Sequence, residues 1–214
     1  MDELVGNEFR TKRLLAKIYA SQFVNRESRL TYLESNLEVD SNGLKMEVER
    51  LISEGLAFVE GGHPKLTKEG RNRITVVMTG GGFDIIHPGH VETLERARSL
   101  GDSLIVSVAR NATFERNKKR KPIHDEVMRK RIVASIRAVD AAVLGSETDI
   151  LETVEMISPD VIALGYDQAH SEEGIRTEVA RRGLKVNVVR LQSSIPDIKT
   201  SRITGLLNNS LSDT

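Results

Sequence analysis

Residues 80–90, GGGFDIIHPGH, set two imidazoles three positions apart, His87 and His90, with Pro88 and Gly89 between them and three glycines just before. Such a pair can clip a metal, share acid and base work, or hold an anion. A metal clip wants two more ligands, and the chain has no cysteine and only His63, His124 and His170 besides. The anion reading has the neighbours it needs. Pro88 suits the first turn of a helix, whose unbonded N–H groups and dipole favour negative charge, and glycines let backbone amides approach a ligand closely. A second feature points the same way. Between Arg110 and Arg131 nine basic residues stand against three acidic ones, a composition suited to a polyphosphate if a strand end holds it in place. The plainer reading of that run is a solvated charged face, but Pro122 and the helix after it pin it. Thr200 and Ser201 sit where a helix could start, and there they serve either as an ordinary N-cap or as phosphate ligands.

The elements that must carry these residues are legible from residue 74 onward. ITVVM, SLIVSVA, AAVLG, DVIALG and KVNVVRL are β-branched apolar runs. Helical stretches over 90–100, 125–136, 149–157 and 172–182 alternate with most of them, with Gly101 and Gly183 placed to end two. Near-continuous apolar strands between helices predict an α/β fold, a Rossmann-like five-stranded parallel sheet with helices on both faces. Ligands in such sheets lie beyond the carboxyl ends of the strands, where the strand order reverses. The glycine and histidine stretch follows the first of these strands and the basic run follows the second.

The first seventy residues keep a different rhythm. Apolar residues recur at helical spacing through Leu14, Leu15 and Ile18, then Leu30, Leu33 and Leu37, then Leu44, Val48, Leu51 and Ile52, predicting three short helices. Asp40 or Ser41 can cap the third and Gly55 can end it. LAFVEGGHPKLT then reads as a hairpin turning at Gly61 and Gly62, and Thr67 can cap one last turn. This order resembles the winged helix-turn-helix family, which implies a small winged-helix domain over residues 1–73 ahead of a second domain over 74–214. The resemblance implies DNA as a partner. The charge does not press for it: residues 1–74 hold twelve basic and twelve acidic side chains, with Glu47 and Glu49 beside Lys45 and Arg50. Phosphate neutralisation dominates nonspecific DNA affinity, so a dimerisation or docking module stands as the alternative.

In the second domain GGFDIIHPGH resembles the GxFDxxHxGH signature of the cytidylyltransferase-like nucleotidyltransferases, which share HxGH with class I aminoacyl-tRNA synthetases. The resemblance implies that His87 and His90 act at the α-phosphate of a nucleoside triphosphate, with Gly81, Gly82, Phe83 and Gly89 along the nucleotide. Gly82 stands where the family often has a small hydroxyl or thiol residue. VARNATFERNKKRKPIHDEVMRKRIV resembles the next family stretch, and implies Lys118 as a catalytic cation, Arg120, Lys121 and Arg129 as nucleotide ligands, and Glu126 with Arg129 as the family's ExxR. Asn111 replaces the usual Asp and Lys119 the usual Gly. Asp84, Arg110 and Asn111 are expected toward the phosphate-bearing acceptor. PDVIALGYDQ implies Gly165 and Asp167 near base and ribose, and DIKTSRITG implies Thr200 and Ser201 on phosphate. Four motifs in the family's order span about residues 74–206.

The implied reaction is transfer of a nucleoside monophosphate from ATP or CTP to a phosphate-bearing acceptor, with release of pyrophosphate. Mg²⁺ is expected to arrive on the triphosphate, with Asp84 able to touch its water shell. The run through LGYDQ looks most like archaeal-type FAD synthases, which implies FMN as the acceptor; glycerol-3-phosphate and sugar-phosphate enzymes share most of the motifs. A regulator that senses nucleotide or flavin is the alternative from another class. With 31 basic and 31 acidic residues no global field draws in nucleic acid or membrane. The acidic start and the lack of a long apolar stretch lead us to expect a cytoplasmic protein; the resemblance, to enzymes that often pair, implies a homodimer, to which the first module could add contact surface.

Overall fold

The computed structural model describes residues 2–166 and 171–193, with side chains from residue 8 onward. The five apolar runs form β3 (Val76–Gly81), β4 (Ser103–Val108), β5 (Ala141–Leu144), β6 (Val161–Leu164) and β7 (Asn187–Arg190). They make one parallel sheet in the order β5-β4-β3-β6-β7. Helices between them are α5 (Pro88–Arg98), α6 (Asn111–Lys118), α7 (Glu126–Ala134), α8 (Ile150–Ile157) and α9 (Glu172–Arg181). Side chains alternate across a strand, and the core divides accordingly. Val77, Leu104, Val106 and Ala142 bury one face with Leu94 and Ala97 of α5 and Val133 of α7. Val76, Met78, Ile105, Ala141 and Ile162 bury the other with Leu151, Val154 and Ile157 of α8 and Ile175 and Val179 of α9. Helices thus cover both faces, as the sequence predicts.

Ahead of the sheet stand α1 (Asp2–Ser21), a 3-10 turn at Arg26–Ser28, α2 (Arg29–Leu37) and α3 (Ser41–Ser53). The hairpin of β1 (Ala57–Glu60) and β2 (His63–Leu66) and the short α4 (Lys68–Asn72) follow. Asp40 caps α3 by accepting from the Gly43 amide at 2.7 Å, and Thr67 caps α4 through Gly70. Gly61 and Gly62 both have positive φ, the geometry that lets a two-residue turn follow the strand twist. The first helix is much longer than its apolar stripe predicts. Its Leu14, Leu15 and Ile18 enter the same buried cluster as Val76, Met78 and Ile105, on the face that α8 and α9 cover.

Polar contacts join the two parts as well. Lys17 donates to Asp140 at 2.6 Å, Tyr32 Oη to the Asp140 carbonyl at 3.0 Å, Tyr19 Oη to the Ile157 carbonyl, and Arg71 to Asp160 at 2.9 Å. Burial, and secondarily the neighbouring Asp140 carboxylate, push the Tyr32 phenol far above its ordinary value, so it stays a donor. Gly101, expected at a helix end, stands three residues beyond Arg98, the last of α5. A Cβ there would lie 2.6 Å from the Thr75 carbonyl, so close backbone approach at the start of β3 is what requires glycine. No helix among the described residues is long and apolar enough to cross a membrane.

Candidate active site

β3 lies where the chain reverses direction across the sheet, with β4 and β5 to one side and β6 and β7 to the other. Pairing between β3 and β6 covers only Val77 with Val161 and Met78 with Ile162. Beyond that point the strands part. Thr79 Oγ1 still reaches the Ala163 carbonyl at 2.7 Å across the opening split. β3 instead stays with β4 as far as Gly81 and Val108, so Gly80 and Gly81 are strand residues and Gly82 alone of the three glycines belongs to the bend. The pairing thus ends before Gly80–Gly82 on one strand and Leu164–Tyr166 on the other, and a crevice at such a point is the position that parallel sheets with reversed order offer a ligand.

At Phe83 the chain takes φ 49°, a conformation uncommon for a residue with a side chain. The ring is buried and lies 5.3 Å from the His90 ring, which holds it there. α5 begins at once. His87 occupies its N-cap position in extended backbone, Pro88 its first turn, and the His87 carbonyl accepts from the His90 amide at 2.9 Å. The two imidazoles stack with centroids 3.9 Å apart and planes 29° apart. The spacing brings both rings to one point at the start of the helix, next to the crevice.

The basic stretch opens with a helix that its composition does not predict. Asn111–Lys118 is helical, and only Phe114 of that helix is buried. Lys118 is its last residue, exposed, and Lys119 takes the left-handed conformation at φ 56°, the place where the resemblance expects glycine. Arg120 pairs with Asp84 at 2.7 Å, and the other Asp84 oxygen accepts the amides of Ile123 and His124. Asp84 is only 4% exposed. Burial opposes its charge, but the Arg120 guanidinium and the two amides outweigh burial and hold the carboxyl below the usual carboxylate range.

Arg129, expected as a nucleotide ligand, is held by the protein itself. It is 0% exposed, and its guanidinium donates to the carbonyls of Gly82 and His124 and to Asn111 Oδ1. It therefore ties three segments together from inside. Asn111 in turn gives its amide to Glu126 at 2.7 Å, and Arg110 pairs with the other Glu126 oxygen at 2.8 Å while also donating to the Gly145 carbonyl. The Asn111 amide first, then Arg110, hold Glu126 below the usual carboxylate range against burial. Asp84, Arg110 and Asn111, expected toward the acceptor, thus have protein partners and form a clasp between the bend and the start of α7. Phe114 was not singled out from the sequence. Its ring lies under both Arg120 and Arg129, and a Cβ on Gly82 would come within 2.7 Å of it, which gives the departure at Gly82 a physical reason.

Gly165 follows β6 and its carbonyl accepts from Arg190 at 2.8 Å. Lys121 is exposed beside the clasp, and Gly89 is buried in the first turn of α5. Asp167, Thr200 and Ser201 lie outside the described residues.

A family model described as cytidylyltransferase-like matches residues 78–205. A protein named FAD synthase from Ferroglobus placidus is 51% identical over 117 residues, covering 55% of this chain and 76% of that one. One of the same name from Aciduliprofundum boonei is 53% identical over 116 residues, covering 54% and 77%. Among solved structures, the lipopolysaccharide core biosynthesis protein from Thermoplasma volcanium GSS1 is similar at 40% identity and a TM-score of 0.54, over 56% of this chain and 98% of that one. The match runs from the strand that leads into the bend to beyond the end of β7, and the chain belongs to the cytidylyltransferase-like family.

Proposed function

We propose that the chain is an FMN adenylyltransferase, moving AMP from ATP to FMN to give FAD and pyrophosphate, with residues 74–214 as the transferase and 1–73 as a winged-helix module. The observation that carries the reading is the stacked pair His87 and His90 at the start of α5, beside the split between β3 and β6. The FAD synthase relatives supply the identity of nucleotide and acceptor.

In this reading a phosphate oxygen of FMN attacks the α-phosphorus of ATP. One P–O bond forms, the bond from the α-phosphorus to the bridging oxygen breaks, and its electron pair leaves with pyrophosphate. A phosphate monoester is already largely ionised at neutral pH, so no strong base is needed. Catalysis rests on alignment and on neutralising charge as it shifts toward pyrophosphate. His87 and His90 meet the α-phosphate region, Gly81, Gly82 and Phe83 let the nucleotide lie against backbone, and Gly89 keeps the first turn of α5 open to it. Lys118 and Lys121 bring positive charge to the β- and γ-phosphates, and Arg120 does so from its pairing with Asp84. Gly165 and Asp167 take base and ribose, and Thr200 and Ser201 close on phosphate. Arg110, Asn111 and Arg129 act at one remove, by fixing the bend.

Enzymes of this type depend on a divalent cation. The described residues include no group of three or more metal-ligating side chains, and the Asp84 carboxylate is committed to Arg120 and two amides. We therefore take Mg²⁺ to arrive with the ATP substrate. The decisive assay follows pyrophosphate release with Mg²⁺, ATP or CTP, and FMN, glycerol 3-phosphate or heptose 1-phosphate. Turnover is expected with ATP and FMN; turnover confined to CTP or to a non-flavin acceptor would overturn the assignment.

A further inference from the structure

We propose that the N-terminal part carries a second anion site, for a small phosphate-bearing molecule, in the cavity between α1, β2 and α4. The space measures about 210 Å³. At about 30 Å³ per water it would hold several waters, and so admits a phosphate group with part of the molecule attached. Four cations line it, Arg29, Lys65, Lys68 and Arg71, and no described lining residue is acidic.

Two of these four charges have a carboxylate partner, and Arg71 also donates to the Ile74 and Ser158 carbonyls. Lys65 pairs with Glu60 on the hairpin, and Arg71 with Asp160 at the start of β6. Among the described residues Arg29 donates only to the carbonyls of Val24 and Gln22, and Lys68 has no partner. Two of the four cations thus lack a carboxylate partner among the described residues, in a chain whose acidic and basic residues balance at 31 each. Like charges gathered in a half-enclosed space repel one another more than on an open surface. A dianion relieves that repulsion and accepts charge-assisted hydrogen bonds from several donors at once. The floor is already built: Tyr19 gives its hydroxyl to the Ile157 carbonyl, and the Arg71 guanidinium lies 4.9 Å over its ring.

A small molecule fits this geometry better than the backbone of a nucleic acid. No residue of α3 lines the cavity, and on α3 itself Lys45 lies against Glu49 and Arg50 between Glu47 and Glu54. A duplex docking there would have to present its phosphates to both regions together.

The test uses the full chain labelled with ¹⁵N and titrated at low salt with inorganic phosphate, then FMN, then ATP, and separately with a duplex of arbitrary sequence. Saturable amide shifts are expected at Thr67–Arg71 and Gln22–Arg29 with a phosphate compound. Lys68 is exposed and unpaired, so Lys68→Glu keeps the fold; it should weaken that binding at least tenfold, while Lys68→Arg retains it and the rate of FAD formation stays at the parent value. Shifts confined to Gly81–His90 and Lys118–Lys121, an affinity unchanged in Lys68→Glu, or shifts seen with the duplex alone would each overturn the proposal. Because the readout is binding at Lys68, it stands or falls separately from the transferase assignment.

Discussion

Arg129→Met tests whether this side chain is scaffold or ligand. Methionine fills similar volume but donates nothing, so the Gly82 and His124 carbonyls and Asn111 Oδ1 lose their donors inside the protein. Hydrogen bonds from a charged group contribute about 1.5–3 kcal/mol each. Three buried acceptors left without a donor cost about 1–3 kcal/mol each, and the relief of no longer burying a cation offsets part of that, for a net loss of about 3–5 kcal/mol. For a chain of 214 residues each kcal/mol moves the melting point by about 2–4 °C, so a drop of about 6–20 °C is expected. Calorimetric melting supplies that number, and turnover measured well below the transition should fall at least tenfold, because the Gly82 bend loses its anchor. Arg129→Lys, with one short donor group, should lie between. If Arg129→Met melts within about 2 °C of the parent while KM for ATP rises tenfold, the guanidinium contacts nucleotide and the scaffold argument is wrong.

Four further outcomes follow from the same geometry. His87→Asn and His90→Asn should each leave the circular dichroism spectrum unchanged and cut turnover more than tenfold, at least about 1.4 kcal/mol in the barrier; more than a tenth of the parent rate in both would contradict their role. Lys119→Gly removes a side chain from a left-handed position and should stabilise by about 0.5–1 kcal/mol, read from urea unfolding; a loss of stability would count against that backbone. Asp84 and Glu126 have lowered folded values, so their stabilisation is complete above the unfolded carboxylate range and fades as pH falls through those lower values. Unfolding free energy should therefore drop on acidification below about pH 4, with a shallower slope in Asp84→Asn combined with Glu126→Gln. Lys17→Met leaves Asp140, 4% exposed in its side chain, with Arg98 at 3.4 Å and the Leu104 amide, and should cost about 1–3 kcal/mol in thermal or urea unfolding.

Strands were legible because their apolar runs are near-continuous, and the start of α5 because Pro88 and the glycines leave few alternatives. Asp40, Gly55, Gly61, Gly62 and Thr67 act as their residue types predict, since caps and turns are decided within three or four positions. α6 was hidden by its composition. NATFERNK has one buried residue, Phe114, and a single buried position gives no periodicity to read. The roles of Asp84 and Arg129 were hidden for another reason: apart from the His124 carbonyl on Arg129, each is fixed by groups 18–47 positions away in sequence, and no local pattern marks a charged residue that the fold will bury. The placement of α1 was invisible on the same ground. Its apolar stripe said only that something would cover it.

What covers it bears on why a charge-balanced module precedes the transferase. Leu14, Leu15 and Ile18 share one buried cluster with Ile105 and Ala141. The carboxylate of Asp140 at the entrance to β5 receives Lys17 from α1 on one side and Arg98 from α5 on the other. A chain cut at residue 73 would lose apolar cover from that face and one of two cations from a nearly buried carboxylate. Such losses act together, because water admitted to the face also reaches the ion pair. The sequence changes its rhythm at residue 74, but the burial does not, so the N-terminal part completes a layer of the sheet, whatever else it binds.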